Sequence, residues 1–304
     1  MRGSERSLDR RSRWLWIALA APGAAWLLVL FVVPFYAMLA VAGGRVNAFL
    51  QTAVPTWNPL RWSSANLSAV WSDIEGRGAF IGGPALRTVL YTAAASALSL
   101  AIAYPVAYFV ARYGGRRKAL FLVALIAPFW VSYMMRMLAW IDLLGQGGWV
   151  NKALSFVGLP GGTDWLGGKS ITVVLGLVYG YIPYLIVVLY AGLDRINPNL
   201  LEAGRDLGLG RWRTFWRVTV PLSRPTIMTG ALITVLPMLG DYYTNQLLSG
   251  APGTTMIGNV VESQLGTPGE TGQGAVLALM ILVVLLPPVI WYMVSVARTS
   301  AEYA

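Results

Sequence analysis

The chain has 304 residues, of which 56% are hydrophobic and 12% charged, with neither Cys nor His. That charge content is about half the share of a soluble protein, so the main solvent of this chain is lipid. The apolar content excludes disorder, and the two missing residue types exclude a disulfide scaffold, a thiolate metal centre and histidine-based acid–base or metal chemistry. A net charge of +10 suits a membrane surface or nucleic acid, and the placement of the charges decides between them.

A membrane span needs about 20 mainly apolar residues. In chain order the qualifying stretches are Trp14–Ala42, Pro84–Ala111, Ala119–Leu144, Ser170–Gly192, Pro225–Leu248 and Gln273–Ala297. The first is long, and Pro22 and Pro34 are places where it would kink or end. A signal peptide competes for it, with Arg10, Arg11 and Arg13 as its basic region and Ala40-Val41-Ala42 as its cleavage site. The apolar run is too long for that. The expected fold is all-α with six spans. It divides into 1–83 (tail, first span, external loop), a five-helix core over 84–297 and a tail over 298–304.

Orientation follows from Lys and Arg. The N-terminal tail holds Arg2, Arg6, Arg10, Arg11 and Arg13. The loop after the second span holds Arg112, Arg116, Arg117 and Lys118. The loop after the fourth holds Arg195, Arg205, Arg211, Arg213, Arg217 and Arg224, and Arg298 lies in the C-terminal tail. These sixteen face only Arg45, Arg61, Arg77, Lys152 and Lys169 on the other side. The expectation is a multi-pass inner-membrane protein with both termini and the 193–224 loop in the cytoplasm. The basic excess is then a topology signal, and no nucleic acid partner is implied. Outside lie Gly43–Gly83, with Trp57, Trp62 and Trp71 as interfacial anchors or partner contacts, and the Gly-, Pro- and Asn-rich Gly145–Lys169 and Ser249–Gly272.

One motif is a decoy. Gly162 to Ser170 looks like a phosphate-binding loop, but counting back from Gly168-Lys169 puts Thr163 where the first Gly belongs. The informative loop is the last cytoplasmic one, which reads as two short helices with a break. Asn199 with Glu202 makes a capping box, and Asn197 before Pro198 is an alternative start. Gly208 and Gly210 end the first helix. Trp212, Phe215 and Trp216, interleaved with Arg211, Arg213 and Arg217, suit a helix lying at a membrane face. On physics alone this is a rigid knob for a partner groove or an ordinary amphipathic loop.

Here the sequence resembles a family. Glu202-Ala203-Gly204, three residues, Gly208, nine residues, Val218, Thr219, Val220-Pro221 is similar to the Glu-Ala-Ala signature of permease subunits of binding-protein-dependent ABC importers. It departs from that signature at Gly204, Val218 and Val220. The resemblance implies a type I ABC importer permease fold and no catalytic residues. It implies a coupling loop of Glu202, Ala203, Gly204, Asp206 and Gly208 that docks on the ATPase. No cofactor is expected in this chain, because ATP and Mg are bound by the partner ATPase. The implied partners are two cytoplasmic ATPase subunits, a second homologous permease and an external substrate-binding protein. Pro128-Phe129-Trp130, Arg136, Gly148-Trp149-Val150-Asn151, Leu236 to Asp241 and Met256 to Asn259 look like the spermidine/putrescine permeases, which implies a polyamine cargo. Other cargoes in the same class are an iron complex, thiamine, an oxyanion or a sugar. A secondary transporter is argued against by the coupling loop, and an intramembrane enzyme by the lack of His and of paired midplane acids.

Charges inside spans are costly unless paired or facing water. Arg136 and Asp142 are expected to form a structural ion pair or backbone cap in the third span, or else to contact cargo. Asp241 is placed mid-way along the fifth span, roughly 24 Å from Pro225 at 1.5 Å per residue. With Tyr242 and Tyr243 it offers a carboxylate and aromatic faces to an ammonium, or it pairs with Arg136. Trp130, Tyr133, Trp140, Tyr179 and Tyr181 are further candidates for the lining of that path.

Overall fold

A computed structural model describes residues 2–47, 49, 51–76 and 81–302. The chain forms two compact units, Met1–Ser72 with Ser263–Ile281, and Asp73–Glu262 with Leu282–Ala304.

The first unit begins with α1 (Arg2–Ala42), which contains Pro22 and Pro34 without being ended by either. Its apolar side chains, Phe31 among them, are largely exposed, as expected of a helix facing lipid. A two-residue hairpin follows, β1 (Arg45–Val46) against β2 (Ala53–Val54), in the register Arg45 to Val54. After a 3-10 turn at Pro59–Arg61 comes α2 (Ala65–Glu75). Asn66 Nδ2 donates to the Ala42 carbonyl at 2.9 Å, which ties α2 to the end of α1. Trp62 donates from Nε1 to the Thr56 carbonyl at 2.7 Å.

The second unit is built on α3 (Gly82–Tyr113) and α7 (Ser170–Asp194). Ala95, Ser99, Ala103, Ala107 and Ala111 recur every fourth residue of α3, which puts them on one face, and all are buried. Such small side chains let helix backbones approach closely. Ala103, Ala107 and Ala111 meet Leu185, Ile186, Leu189 and Leu193 of α7 in one core cluster, and Ala95 meets Val173 and Leu177 of α7 in another. The third helix of this packing is α10 (Val220–Leu239). At Gly192 of α7 a Cβ would lie 2.0 Å from Thr226 Oγ1, so only Gly permits that approach. Tyr104 and Ser223 join α3 to α10 through a buried 2.8 Å hydrogen bond.

Two expected spans are interrupted. The third is α4 (Lys118–Ile126), a 3-10 turn over Ala127–Trp130, and α5 (Tyr133–Leu144). The segments Gly115–Trp130 and Tyr133–Phe156 meet at 85°. Pro128 has no N–H and its ring disfavours a continuing helix, and Val131 and Ser132 are extended at the break. The fifth expected span stops at Leu239, and α11 (Tyr243–Leu248) follows as a separate helix. Asp241 therefore lies just beyond a helix end, which corrects the mid-span placement. The remaining elements are α6 (Trp149–Phe156), α8 (Pro198–Asp206), α9 (Arg211–Thr214), α12 (Ile257–Gly266) and α13 (Thr271–Glu302). Among the described residues five helices are long and apolar enough to cross a membrane, or six if the segment bent at 85° is one broken span.

Candidate functional site

Two places gather the residues singled out in the sequence. The first is the 193–224 loop. Asn197 caps α8 by accepting from the Asn199 N–H at 3.0 Å, with Pro198 in the first turn. The helix therefore starts at the alternative cap and not at an Asn199–Glu202 box. Leu201 and Gly204 face inward, whereas Glu202, Ala203, Arg205, Asp206 and Gly208 are exposed and Leu207 is 85% exposed. Gly208 ends the turn with φ +83°, the left-handed conformation that Gly adopts without penalty. Beyond Gly210, α9 passes through a π turn at Phe215–Thr219 into α10. Trp212, Phe215 and Trp216 form one aromatic cluster with centroids 5.3 to 5.9 Å apart. The loop thus presents a short capped helix at the junction of two long apolar ones.

The second place is the pair of breaks in the expected third and fifth spans. Asp241 is 8% exposed. Its Oδ1 accepts from the Thr244 N–H at 2.9 Å, and its Oδ2 accepts from the Thr244 hydroxyl at 2.7 Å and the Tyr181 hydroxyl at 3.0 Å. Tyr133 lies 3.5 Å from the same oxygen and also hydrogen-bonds the Thr244 hydroxyl. Asp241 lies one residue before Tyr242, the N-cap of α11, and its carboxylate satisfies one of the first-turn N–H groups of that helix. Thr244 was missed in the sequence, although an Asp three residues ahead of a Thr at the start of a short helix carries that signal. Tyr242 and Tyr243 pack on each other, with centroids 5.1 Å apart. Asn259 Nδ2 holds the Tyr242 carbonyl at 2.8 Å, and the Tyr243 hydroxyl faces Met134 Sδ at 3.9 Å. The hydroxyls on the carboxylate thus belong to Tyr133 and Tyr181.

Arg136 is buried, and it pairs with neither Asp142 nor Asp241. Its guanidinium carbon lies 4.4, 5.3 and 5.7 Å from the ring centroids of Phe129, Tyr133 and Tyr179. Nε donates to the Val131 carbonyl at 3.2 Å, and Nη1 is buried without an acceptor. Of the expected ion pair or backbone cap, Arg136 makes the backbone contact and not the ion pair, and an aromatic cage surrounds it because the break brings Phe129 and Tyr133 around the base of α5. Trp140 packs edge-on to Tyr179 at 5.3 Å. Asp142 is exposed and lines a surface pocket with Gly148, Trp149 and Lys152, and Trp130 is 82% exposed. Between α5 and α7, Asn151 is buried and organises the connection. Its Nδ2 faces the Gly145, Gln146 and Thr163 carbonyls at 3.1 to 3.3 Å, and its Oδ1 accepts from Trp165 Nε1 at 3.1 Å. Among the described residues no group of three or more His, Cys, Asp or Glu could hold a metal ion.

The helices and the capped loop define an all-α, multi-pass membrane protein. Residues 103–300 match the family of binding-protein-dependent transport system inner membrane components. The chain belongs to that family: it is a permease subunit of an ABC importer, a transport subunit and not an enzyme. It is 28% identical over 275 residues to the spermidine/putrescine transport system permease protein PotB of Haemophilus influenzae, covering 85% of this chain and 89% of that one. It is 35% identical over 212 residues to the inner membrane ABC transporter permease protein YdcU of Escherichia coli, covering 66% of this chain and 67% of that one. Among solved structures, a chain of a bacterial alginate ABC transporter in complex with an alginate pentasaccharide-bound periplasmic protein superposes with a TM-score of 0.68. That match is at 19% identity and covers 93% of this chain and 94% of the other, so it speaks to the fold.

Proposed function

We propose that this chain is the transmembrane subunit of an ATP-driven importer of polyamines, with both termini and α8 in the cytoplasm. The observation that carries the reading is α8 itself, an exposed, capped helix closed by the positive φ of Gly208 and set between α7 and α10. Glu202, Ala203, Asp206 and Gly208 are its contact with an ATPase, whose ATP and Mg drive the cycle, while Gly204, expected with them, is buried and faces Leu209 and Val218 of this chain. A second permease chain completes the path, and an external binding protein delivers cargo. The likeness to a spermidine/putrescine permease supports a polyamine. So does the Asp241 cluster, where the hydroxyls of Tyr133, Tyr181 and Thr244 surround one carboxylate. A single carboxylate held by hydroxyls attracts an ammonium and still releases it, as a transport path requires.

Affinity-purified chain should bring an ATPase and a binding protein with it. Proteoliposomes of that complex should take up spermidine only when ATP is supplied on the ATPase side. Spermidine uptake driven by an ion gradient without ATP would make it a secondary transporter. ATP-driven uptake of another solute in its place would remove the polyamine assignment alone. Orientation is read separately in the Cys-free chain. Cys at Leu60, which is exposed, should label from outside in intact cells, and Cys at Glu202 only after permeabilisation.

A further inference from the structure

Two cations flanking the turn between α3 and α4 hold the root of α8. Lys118, the first residue of α4, places Nζ 2.5 Å from Oδ1 of Asp194, the last residue of α7. Tyr190 lies 3.5 Å from the other oxygen of Asp194. Arg112, in the last turn of α3, donates from Nη1 to the Ile196 carbonyl at 3.1 Å. Ile196 is followed directly by Asn197, the cap of α8.

These contacts contribute little to stability. The Lys118–Asp194 pair is about a third exposed on both sides, at 32% and 37%, and pairs so exposed are screened by water and weak. Arg112 also has Nε and Nη2 buried without acceptors, which opposes folding. What the pair supplies is position. From Lys118 the nine residues of α4 run as one rigid rod, about 14 Å at 1.5 Å per residue. The rod leads into the turn at Ala127–Trp130 and the break at Val131. There the Val131 carbonyl receives Arg136 Nε, and Tyr133 just beyond reaches Thr244 and Asp241.

We propose that the Lys118–Asp194 bridge, supported by Arg112, is a positioning link that hands movement of α8 to α4 and through it to the break beside Asp241. This rests on the reading of α8 as the ATPase contact. The competing route runs from α8 through α9 into α10, where Leu209 N–H meets the Gly204 carbonyl at 3.1 Å. On that route the bridge is dispensable.

The test uses the assembled complex. Cys introduced at Val131, which is 52% exposed, reports the break through its rate of maleimide labelling with and without ATP and vanadate. With the bridge intact, nucleotide should change that rate. The change should be lost in Lys118→Met and in Asp194→Asn. It should return in the reversed pair Lys118→Asp with Asp194→Lys, and persist in Lys118→Arg. A response that persists in either single charge-removing variant overturns the proposal, as does no response with the bridge intact or a reversed pair that stays silent. Should the charge-removing variants not assemble, Lys118→Arg decides, and a silent Lys118→Arg overturns the link. Failure of the reading beneath it looks different. Cys at Glu202 would then not cross-link to the ATPase even with the bridge intact.

Discussion

The Tyr181 hydroxyl donates to Oδ2 of Asp241 at 3.0 Å, so neutral hydroxyls share this buried carboxylate and Arg136 makes no ion pair with it. The two opposite charges are kept apart although both flank Tyr133, whose ring faces the guanidinium and whose hydroxyl faces the carboxylate cluster. A carboxylate neutralised by an internal arginine would offer little to a cationic cargo. One held by hydroxyls keeps its charge available.

Asp241→Asn should therefore impair spermidine uptake while the complex still assembles and hydrolyses ATP. Asn keeps an acceptor for the Thr244 N–H, and the surrounding hydroxyls rotate to accept from the new amide. Asp241→Ala removes every acceptor, and each donor left unsatisfied costs about 1–3 kcal/mol, so that variant should lose assembly as well. Uptake by Asp241→Asn at the unmodified rate would confine Asp241 to holding the first turn of α11.

Arg136 tests the aromatic cage. Lys retains the charge but lacks the planar face that lies over Phe129. Arg136→Lys should lower the stability of the purified complex by about 1–2 kcal/mol, the size of a partly desolvated cation–π contact. Matching thermal melting curves for Arg136→Lys and the unmodified complex would show that the rings contribute nothing.

The apolar runs, the capped loop and its end at Gly208 were legible in the sequence. Apolar run length, charge placement and Gly position are local signals, and each has a direct physical consequence. The breaks were legible only in part. Pro128 was visible, but helices in lipid tolerate Pro where neighbours satisfy the freed groups. Pro22 and Pro34 leave α1 continuous, whereas Pro128 precedes two extended residues. Tertiary packing decides between those outcomes. The partners of Arg136 and Asp241 were not legible. They depend on the break bringing Phe129 and Tyr133 against α7, and pairing opposite charges by their sequence neighbourhood gave the wrong contact.

Asn151 is a third position with a sharp expectation. Its side chain faces three carbonyls and Trp165 while buried at 3% exposure. Asn151→Ala leaves those groups without their partner, at about 1–3 kcal/mol for each one that water cannot reach. Asn151→Asp removes the donors and adds a buried charge facing carbonyl oxygens, so it should be worse than Ala. Protease susceptibility of the 145–169 connection in purified protein should rise in the order Asn, Ala, Asp. An order with Asp no more susceptible than Asn would mean that the hub does not hold the connection.

The 193–224 loop gives opposite expectations for two glycines four residues apart. Gly208 has φ +83°, and a Cβ there meets nothing within 4 Å. The obstacle to a side chain is therefore the backbone conformation alone, about 1–2 kcal/mol for an ordinary L residue and more for a β-branched one. Gly208→Val should distort the end of α8 and uncouple ATP hydrolysis from uptake, while Gly208→Asn, which tolerates that conformation, should retain coupling. Gly204 sits in helical conformation, and a Cβ there would lie 3.6 Å from Leu209 Cδ1 and from Val218 Cγ2, an ordinary contact distance. Gly204→Ala should then gain up to ~1 kcal/mol of helix stability and leave transport at least unchanged. The ratio of ATP hydrolysed to spermidine moved, measured for all three variants in proteoliposomes, checks both expectations. Normal coupling in Gly208→Val would separate the loop from energy transfer, and poor coupling in Gly204→Ala would show that α8 meets its partner through the face on which Gly204 lies.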